Sequence, residues 1–72
     1  MHQWANGDVY VGQFKDSKQE GQGVYLFANG DRYQGFWQEN RKQYEGVMTL
    51  AGLKERAIWE NNNKWQVLET WY

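Results

Sequence analysis

Residues 28–37 read Ala-Asn-Gly-Asp-Arg-Tyr-Gln-Gly-Phe-Trp, and residues 5–14 read Ala-Asn-Gly-Asp-Val-Tyr-Val-Gly-Gln-Phe, so one pattern recurs after 23 residues. Over positions 4–26, eight residues are identical at this shift. Self-similarity at a fixed period of this length is the signature of a repeat protein.

A third copy is worn and one residue shorter. Gly52 follows Gly30 by 22 residues, and Trp59 follows Trp37 by the same interval. We therefore expect residues 1–72 to form a single module with repeats at about 4–26, 27–49 and, in degenerate form, 50–72.

Within each copy the apolar residues alternate with a period of two, which is the period of a β-strand. One strand face is predicted to carry an aromatic, a glycine and a second aromatic, as in Tyr10, Gly12 and Phe14 and again in Tyr33, Gly35 and Trp37. The segment Leu53–Glu60 also has apolar residues at helical spacing. A strand is preferred there because the repeat register aligns Trp59 with Trp37. The chain is thus predicted to be all-β.

Turn signals separate the strands. Asn6-Gly7 and Asn29-Gly30 favour tight type I′ hairpin turns, because both central residues of that turn need a positive φ. The polar segments Lys15–Glu20 and Gln38–Gln43 are interpreted as the longer connections. Glycines inside strands are expected where an aromatic of the adjacent strand lies across the bare backbone. The predicted structural glycines are Gly7, Gly12, Gly23, Gly30, Gly35 and Gly46.

The pattern Gly-x-x-Tyr-x-Gly-x-Trp in residues 30–37, followed by a polar stretch, resembles the MORN repeat (membrane occupation and recognition nexus). The first copy fits with Phe14 where the family usually has Trp, and Tyr44 replaces the first glycine of the second Gly-x-Gly. The third copy departs further, with Glu55 for Tyr and Ala57 for Gly. The resemblance implies a single elongated antiparallel sheet of consecutive hairpins, about two and a half repeats long, with an aromatic groove.

Composition argues against enzymatic chemistry. The chain has no cysteine and one histidine, His2, near the terminus, so the hydroxyls of Ser17, Thr49 and Thr70 have no evident base beside them. Carboxylates such as Asp8 sit in turns, where Asp is favoured for local hydrogen bonds. We predict no catalytic residue, no cofactor and no metal site. The net charge of −1 gives no overall attraction to nucleic acid.

Binding is the predicted function. Five Trp, five Tyr and three Phe supply the apolar area, and a single-layer sheet leaves part of it exposed, which usually indicates a partner. That partner is predicted to be another protein chain, or a second copy in a homodimer, lying in the groove or against an open sheet edge. The predicted groove contacts are Tyr10, Phe14, Tyr33, Trp37 and Trp59.

The alternative hypothesis is a peripheral membrane module that binds phosphoinositides or other anionic lipids. Its contacts would form a basic rim of Lys15, Lys18, Arg41 and Lys42. Acidic residues in the same connections, among them Asp16 and Glu39, oppose that attraction. The absence of cysteine and of an apparent signal peptide favours a cytoplasmic location, peripheral to a membrane under the lipid hypothesis.

Overall fold

The structure, a computed structural model, describes all residues 1–72. They form a single sheet of seven antiparallel strands, in which each strand pairs with its neighbours in the chain. The strands are β1 (His2–Gln3), β2 (Val9–Lys15), β3 (Lys18–Leu26), β4 (Arg32–Gln38), β5 (Arg41–Leu50), β6 (Leu53–Glu60) and β7 (Asn63–Trp71). The predicted all-β meander of consecutive hairpins is confirmed, including the strand over Leu53–Glu60.

The predicted turn types were wrong. The Asn-Gly segments belong to longer loops, in which the N–H of Gly7 donates to the carbonyl of Trp4 (3.1 Å) and only the glycine has a positive φ, 98° at Gly7 and 97° at Gly30. The tight connections are the polar segments instead. Asp16 and Ser17 have φ values of 51° and 63°, as a two-residue type I′ turn requires.

Two tyrosines interlock with glycines of the adjacent strand, as expected for glycine inside a sheet. Tyr10 of β2 lies across Gly23 of β3, and Tyr33 of β4 lies across Gly46 of β5. A Cβ at either glycine would overlap the phenol ring. Both tyrosines are fully buried, so neither ring has free space into which it can move. These glycines are therefore required by packing.

The third copy lacks this interlock because three positions differ together. In β6, Glu55 stands where the first two copies have tyrosine, and Ala57 stands where they have glycine. Ala57 pairs with Val67 of β7, whereas the earlier hairpins pair glycine with glycine at this point. Ala57 and Val67 can therefore carry side chains, because the third copy has no tyrosine ring lying across them. Strand β7 continues the sheet, so its Trp65 does not fold back over it and is 67% exposed.

The core is a chain of aromatic rings on one face of the sheet. The ring of Trp37 meets those of Tyr10 and Tyr33 edge to face, with centroids 5.6 and 5.3 Å away. Tyr33 meets Trp59 in the same way at 5.5 Å. Such pairs contribute about 0.5–1.5 kcal/mol each beyond the area they bury. The structure contains no membrane-spanning helix.

Candidate functional site: a groove over the aromatic core

An open groove of about 500 Å³ lies on the aromatic face. Its aromatic walls are Phe14 of β2, Tyr25 of β3, Trp37 of β4, and Trp4 and Phe27 from the loops that flank β2 and β3. Polar side chains from the turns at the opposite edge, among them Asn40 and Asn62, close its other side. The groove therefore has an apolar region and a polar region.

The five predicted contact residues occupy different depths. Tyr10 and Tyr33 are 0% exposed and lie beneath the groove, and Trp37 lines it with 5% of its surface exposed. Phe14 lines the groove and is 42% exposed, whereas Trp59 is partly buried and lies outside it. Their role in binding a partner stays a prediction.

Three groove aromatics were not among those predicted contacts: Trp4, Tyr25 and Phe27. Trp4 and Phe27 occupy equivalent places in the first two repeats, immediately before the Ala-Asn-Gly-Asp segment, so the 23-residue period could have located them. The rings contact one another, with Tyr25 5.2 Å from Trp4 and 4.9 Å from Phe27 between centroids. The apolar region of the groove is thus a continuous cluster.

A hydrogen-bonded pair anchors this cluster. The hydroxyl of Tyr25 donates to Oδ2 of Asp8 (2.8 Å), and the N–H of Ala28 donates to Oδ1 of the same carboxylate (2.8 Å). The Ala28 and Tyr25 hydrogen bonds hold the pKa of Asp8 below its ordinary value. Burial, together with the neighbouring carboxylate, raises the pKa of Tyr25 to about 12. Asp8 thereby joins the first repeat to the loop of the second.

The polar region is held by a second inter-repeat link. The N–H of Gln19 donates to Oδ1 of Asn40 (2.7 Å), and the N–H of Asn40 donates back to the carbonyl of Gln19 (3.1 Å). Lys42 and Asn62 repeat this exchange one repeat later, at 2.7 and 3.0 Å. The second and third tight turns are therefore hydrogen-bonded to the preceding hairpin. The recurrence of Asn at this turn position is the sequence signal for the link.

Lys42 is the one lysine that lines the groove. Its ammonium nitrogen lies 4.9 Å from the ring centroid of Trp59 and 5.4 Å from that of Tyr33, within the range of cation–π contacts. Burial lowers the pKa of Lys42. No carboxylate lies within ion-pair distance of it, since the salt bridges join Arg56 to Glu45 and Glu69, and Lys64 to Glu55.

The predicted basic rim is divided by the structure. Lys15 and Lys18 pair across the tight turn between β2 and β3. Arg41 begins β5 at the same end of the sheet, where the tight turns connect the strands. All three are exposed, whereas Lys42 is half-buried in the groove. No group of three or more His, Asp or Glu side chains comes together in a way that could hold a metal ion.

Comparison with known protein families gives one match. The family model described as MORN repeat matches residues 10–32 and 33–51, which together exceed half of the chain. A search of curated proteins gave no match.

Proposed function

Because this chain belongs to the MORN repeat family, we propose that it is a non-enzymatic module whose aromatic groove binds a segment of another protein chain. MORN repeats are generally binding and scaffolding modules that contact proteins or membranes. Within that range, the observation that carries the proposal is the groove itself. Aromatic side chains line it, with Phe14 exposed and Trp4, Tyr25 and Phe27 partly buried. Hydrogen bonds between successive repeats fix its two edges.

The groove has the properties of a preorganised peptide site. Tyr and Trp are enriched in binding hot spots, where a large ring fills a pocket at a low cost in conformational entropy. The inter-repeat hydrogen bonds of Asp8, Asn40 and Asn62 order the walls before a partner arrives. A rigid site loses less entropy on binding than a mobile one. Its open shape suits an extended or helical segment better than an enclosed small molecule.

A lipid surface is the second candidate. Lys15, Lys18 and Arg41 lie exposed at one edge of the sheet, where each is worth about 1 kcal/mol near an anionic membrane. Asp16 and Glu39 occupy the tight turns of that same edge and reduce the attraction. The protein-binding proposal is preferred because aromatic rings line the groove, whereas charged side chains of both signs occupy this end of the sheet.

Peptide selection tests the proposal directly. A displayed library of random dodecapeptides would be selected on the immobilised chain, and the affinities of the enriched peptides measured by fluorescence anisotropy. Phe14→Ala is expected to weaken them at least about tenfold, since a buried aromatic anchor typically contributes 2 kcal/mol or more. Salt should change these affinities little, because the contact is mainly apolar.

Val11→Ala is the matched control. Val11 lies on the same strand and is 47% exposed, close to the 42% of Phe14, but it belongs to the opposite face. Its replacement should leave the peptide affinities unchanged, and both variants should be checked for folding by thermal unfolding. Equal losses in the two variants would contradict a groove site. Binding to phosphoinositide vesicles that Lys15→Gln and Lys18→Gln abolish would favour the lipid alternative.

A further inference from the structure

We infer that the groove selects a partner segment carrying a carboxylate, which pairs with Lys42. This inference rests on the proposed function and specifies the chemistry of the partner. The first observation is that the positive charge of Lys42 has no salt-bridge partner. Lys42 lies half-buried between two aromatic rings and lines the groove, yet no carboxylate of the chain pairs with it.

Several carboxylates of the neighbouring strands have other partners. Glu55 accepts a hydrogen bond from the ammonium of Lys64 (2.8 Å), and Glu20 accepts one from the backbone of Glu39 (3.2 Å). Glu45 pairs with Arg56. The rings of Tyr33 and Trp59 stabilise the Lys42 cation only in part, because a cation–π contact is weaker than a hydrogen-bonded ion pair. Lys42 therefore remains available to an anionic group that enters the groove.

The rest of the groove determines what carries that anion. Apart from Lys42 and His2, its lining is aromatic or neutral and polar. A partner that fits must place an apolar side chain beside Phe14 and a carboxylate beside Lys42. Acidic peptides meet both conditions, because aspartate, glutamate and a chain terminus supply carboxylates next to apolar groups. A lipid headgroup would instead require the exposed lysines of the edge, which lie outside the groove.

The strand spacing sets the distance between the two groups. Phe14 lies on β2 and Lys42 on β5, three strand intervals apart in the sheet. At about 4.8 Å per interval, the separation across the strands is roughly 14 Å. An extended chain covers that distance in about four residues. In an extended peptide, residues four apart also point to the same side, so both groups can enter one groove.

The same selected dodecapeptides provide the test. We expect enrichment of an acidic residue about four positions from an apolar one. Replacing that acidic residue by its amide should weaken binding to the unmodified chain about five- to tenfold, as expected for loss of a charge-assisted contact. The same replacement should change binding to the Lys42→Met variant less than about twofold.

Lys15→Met is the matched control, since it removes the same charge outside the groove and should preserve the preference for the acid. Lys42→Arg should also preserve it. If Lys42→Met lowers the unfolding temperature, Lys42→Gln replaces it in the same comparison. Peptides that depend on Phe14 but show no acidic preference, or one that persists without Lys42, would overturn the inference and leave the proposed function standing. Failure to select any Phe14-dependent peptide would refute the proposed function itself. Vesicles of phosphatidylserine that bind through Lys42, with no acidic peptide selected, would overturn the peptide as the occupant.

Discussion

Adding one methyl group at Gly46 should destabilise the domain far more than its size suggests. The new Cβ would overlap the Oη and Cζ atoms of Tyr33. Tyr33 is fully buried, with the rings of Trp37 and Trp59 packed edge to face against it, so it cannot swing aside. Overpacking of this kind costs about 1–3 kcal/mol, and the overlap here places Gly46→Ala at about 3 kcal/mol.

That loss is large for a domain of 72 residues. At about 0.05–0.15 kcal/mol per residue, the free energy of unfolding is about 4–11 kcal/mol. For a domain of this size, about 3 kcal/mol lowers the unfolding temperature by about 12–24 °C. Thermal unfolding followed by near-ultraviolet circular dichroism would measure the shift, since the signal comes from the packed aromatic rings. Urea unfolding followed by tryptophan fluorescence would give the free energy.

Gly30→Ala is the control that separates crowding from backbone strain. Gly30 has a φ of 97° and no atom within 4 Å of its hypothetical Cβ. Its replacement should therefore cost only the conformational term, about 1 kcal/mol. If Gly46→Ala costs no more than Gly30→Ala, the interlock is not what requires glycine. A Tyr33→Leu background offers a second check, because there the two substitutions should be non-additive by about 1–3 kcal/mol.

Three other predictions follow from local geometry. Tyr44 has a φ of 61°, so Tyr44→Gly should be about 1 kcal/mol more stable than Tyr44→Ala in urea unfolding. Trp37→Phe should cost about 1 kcal/mol more than Trp59→Phe, because the indole N–H of Trp37 donates to a backbone carbonyl (3.2 Å) and that of Trp59 has no partner. Equal losses would contradict this. The raised pKa of Tyr25, about 12, means that the folded state holds its proton more tightly than the unfolded chain. The resulting stability is complete below the ordinary pKa near 10 and is lost as the pH rises through about 12. Phenolate absorbance and unfolding at alkaline pH would show this. Tyr25→Phe should reduce the loss of stability without abolishing it, because burial also raises the pKa of Tyr10 and Tyr33.

The strands were predictable because the signal for them is repeated. The 23-residue period and the alternation of aromatic and glycine residues fix the number of hairpins and the side of the sheet on which each ring lies. The repeat register also resolves the ambiguity over Leu53–Glu60, since it aligns Trp59 with Trp37, and the structure accordingly pairs Ala57 with Gly46. The repeat in the sequence is thus a stronger guide to this segment than the helical spacing of its apolar residues.

The turns were not predictable from residue type alone. The Asn-Gly pairs favour positive φ, and Gly7 and Gly30 do adopt it, but the loop length depends on hydrogen bonds such as that between Trp4 and Asp8 (2.9 Å). Glu39 and Asn40 lack glycine, yet both have positive φ. The hydrogen bonds that Asn40 exchanges with Gln19 offset this strain. Their partners lie a whole repeat away, beyond the range of turn statistics.

The burial of each groove residue was not predictable from the sequence either. Tyr10 and Phe14 share a strand face and a similar pattern, but one is fully buried and the other 42% exposed. Tyr10 lies across Gly23 and is flanked on its other side by β1, whereas β1 does not reach Phe14. A pattern of period two specifies the face, while burial depends on the neighbouring strand.

The degenerate third copy keeps the strand pairing of the fold but loses the aromatic lining of the groove. Replacement of a tyrosine by Glu55 removes the ring that requires glycine opposite, so Val67 is tolerated and the strand pairing survives. The face then carries the Glu55–Lys64 ion pair instead of an aromatic ring. Lys42, on the neighbouring strand β5, contacts the rings of Tyr33 and Trp59 and has no salt bridge. Extending the interlock by Glu55→Tyr together with Ala57→Gly and Val67→Gly should lengthen the aromatic face without altering the hairpins, since both glycines of the earlier copies are then restored. If peptide affinity still depends on Lys42 in that variant, the charge itself, and not the end of the aromatic lining, is what the partner recognises.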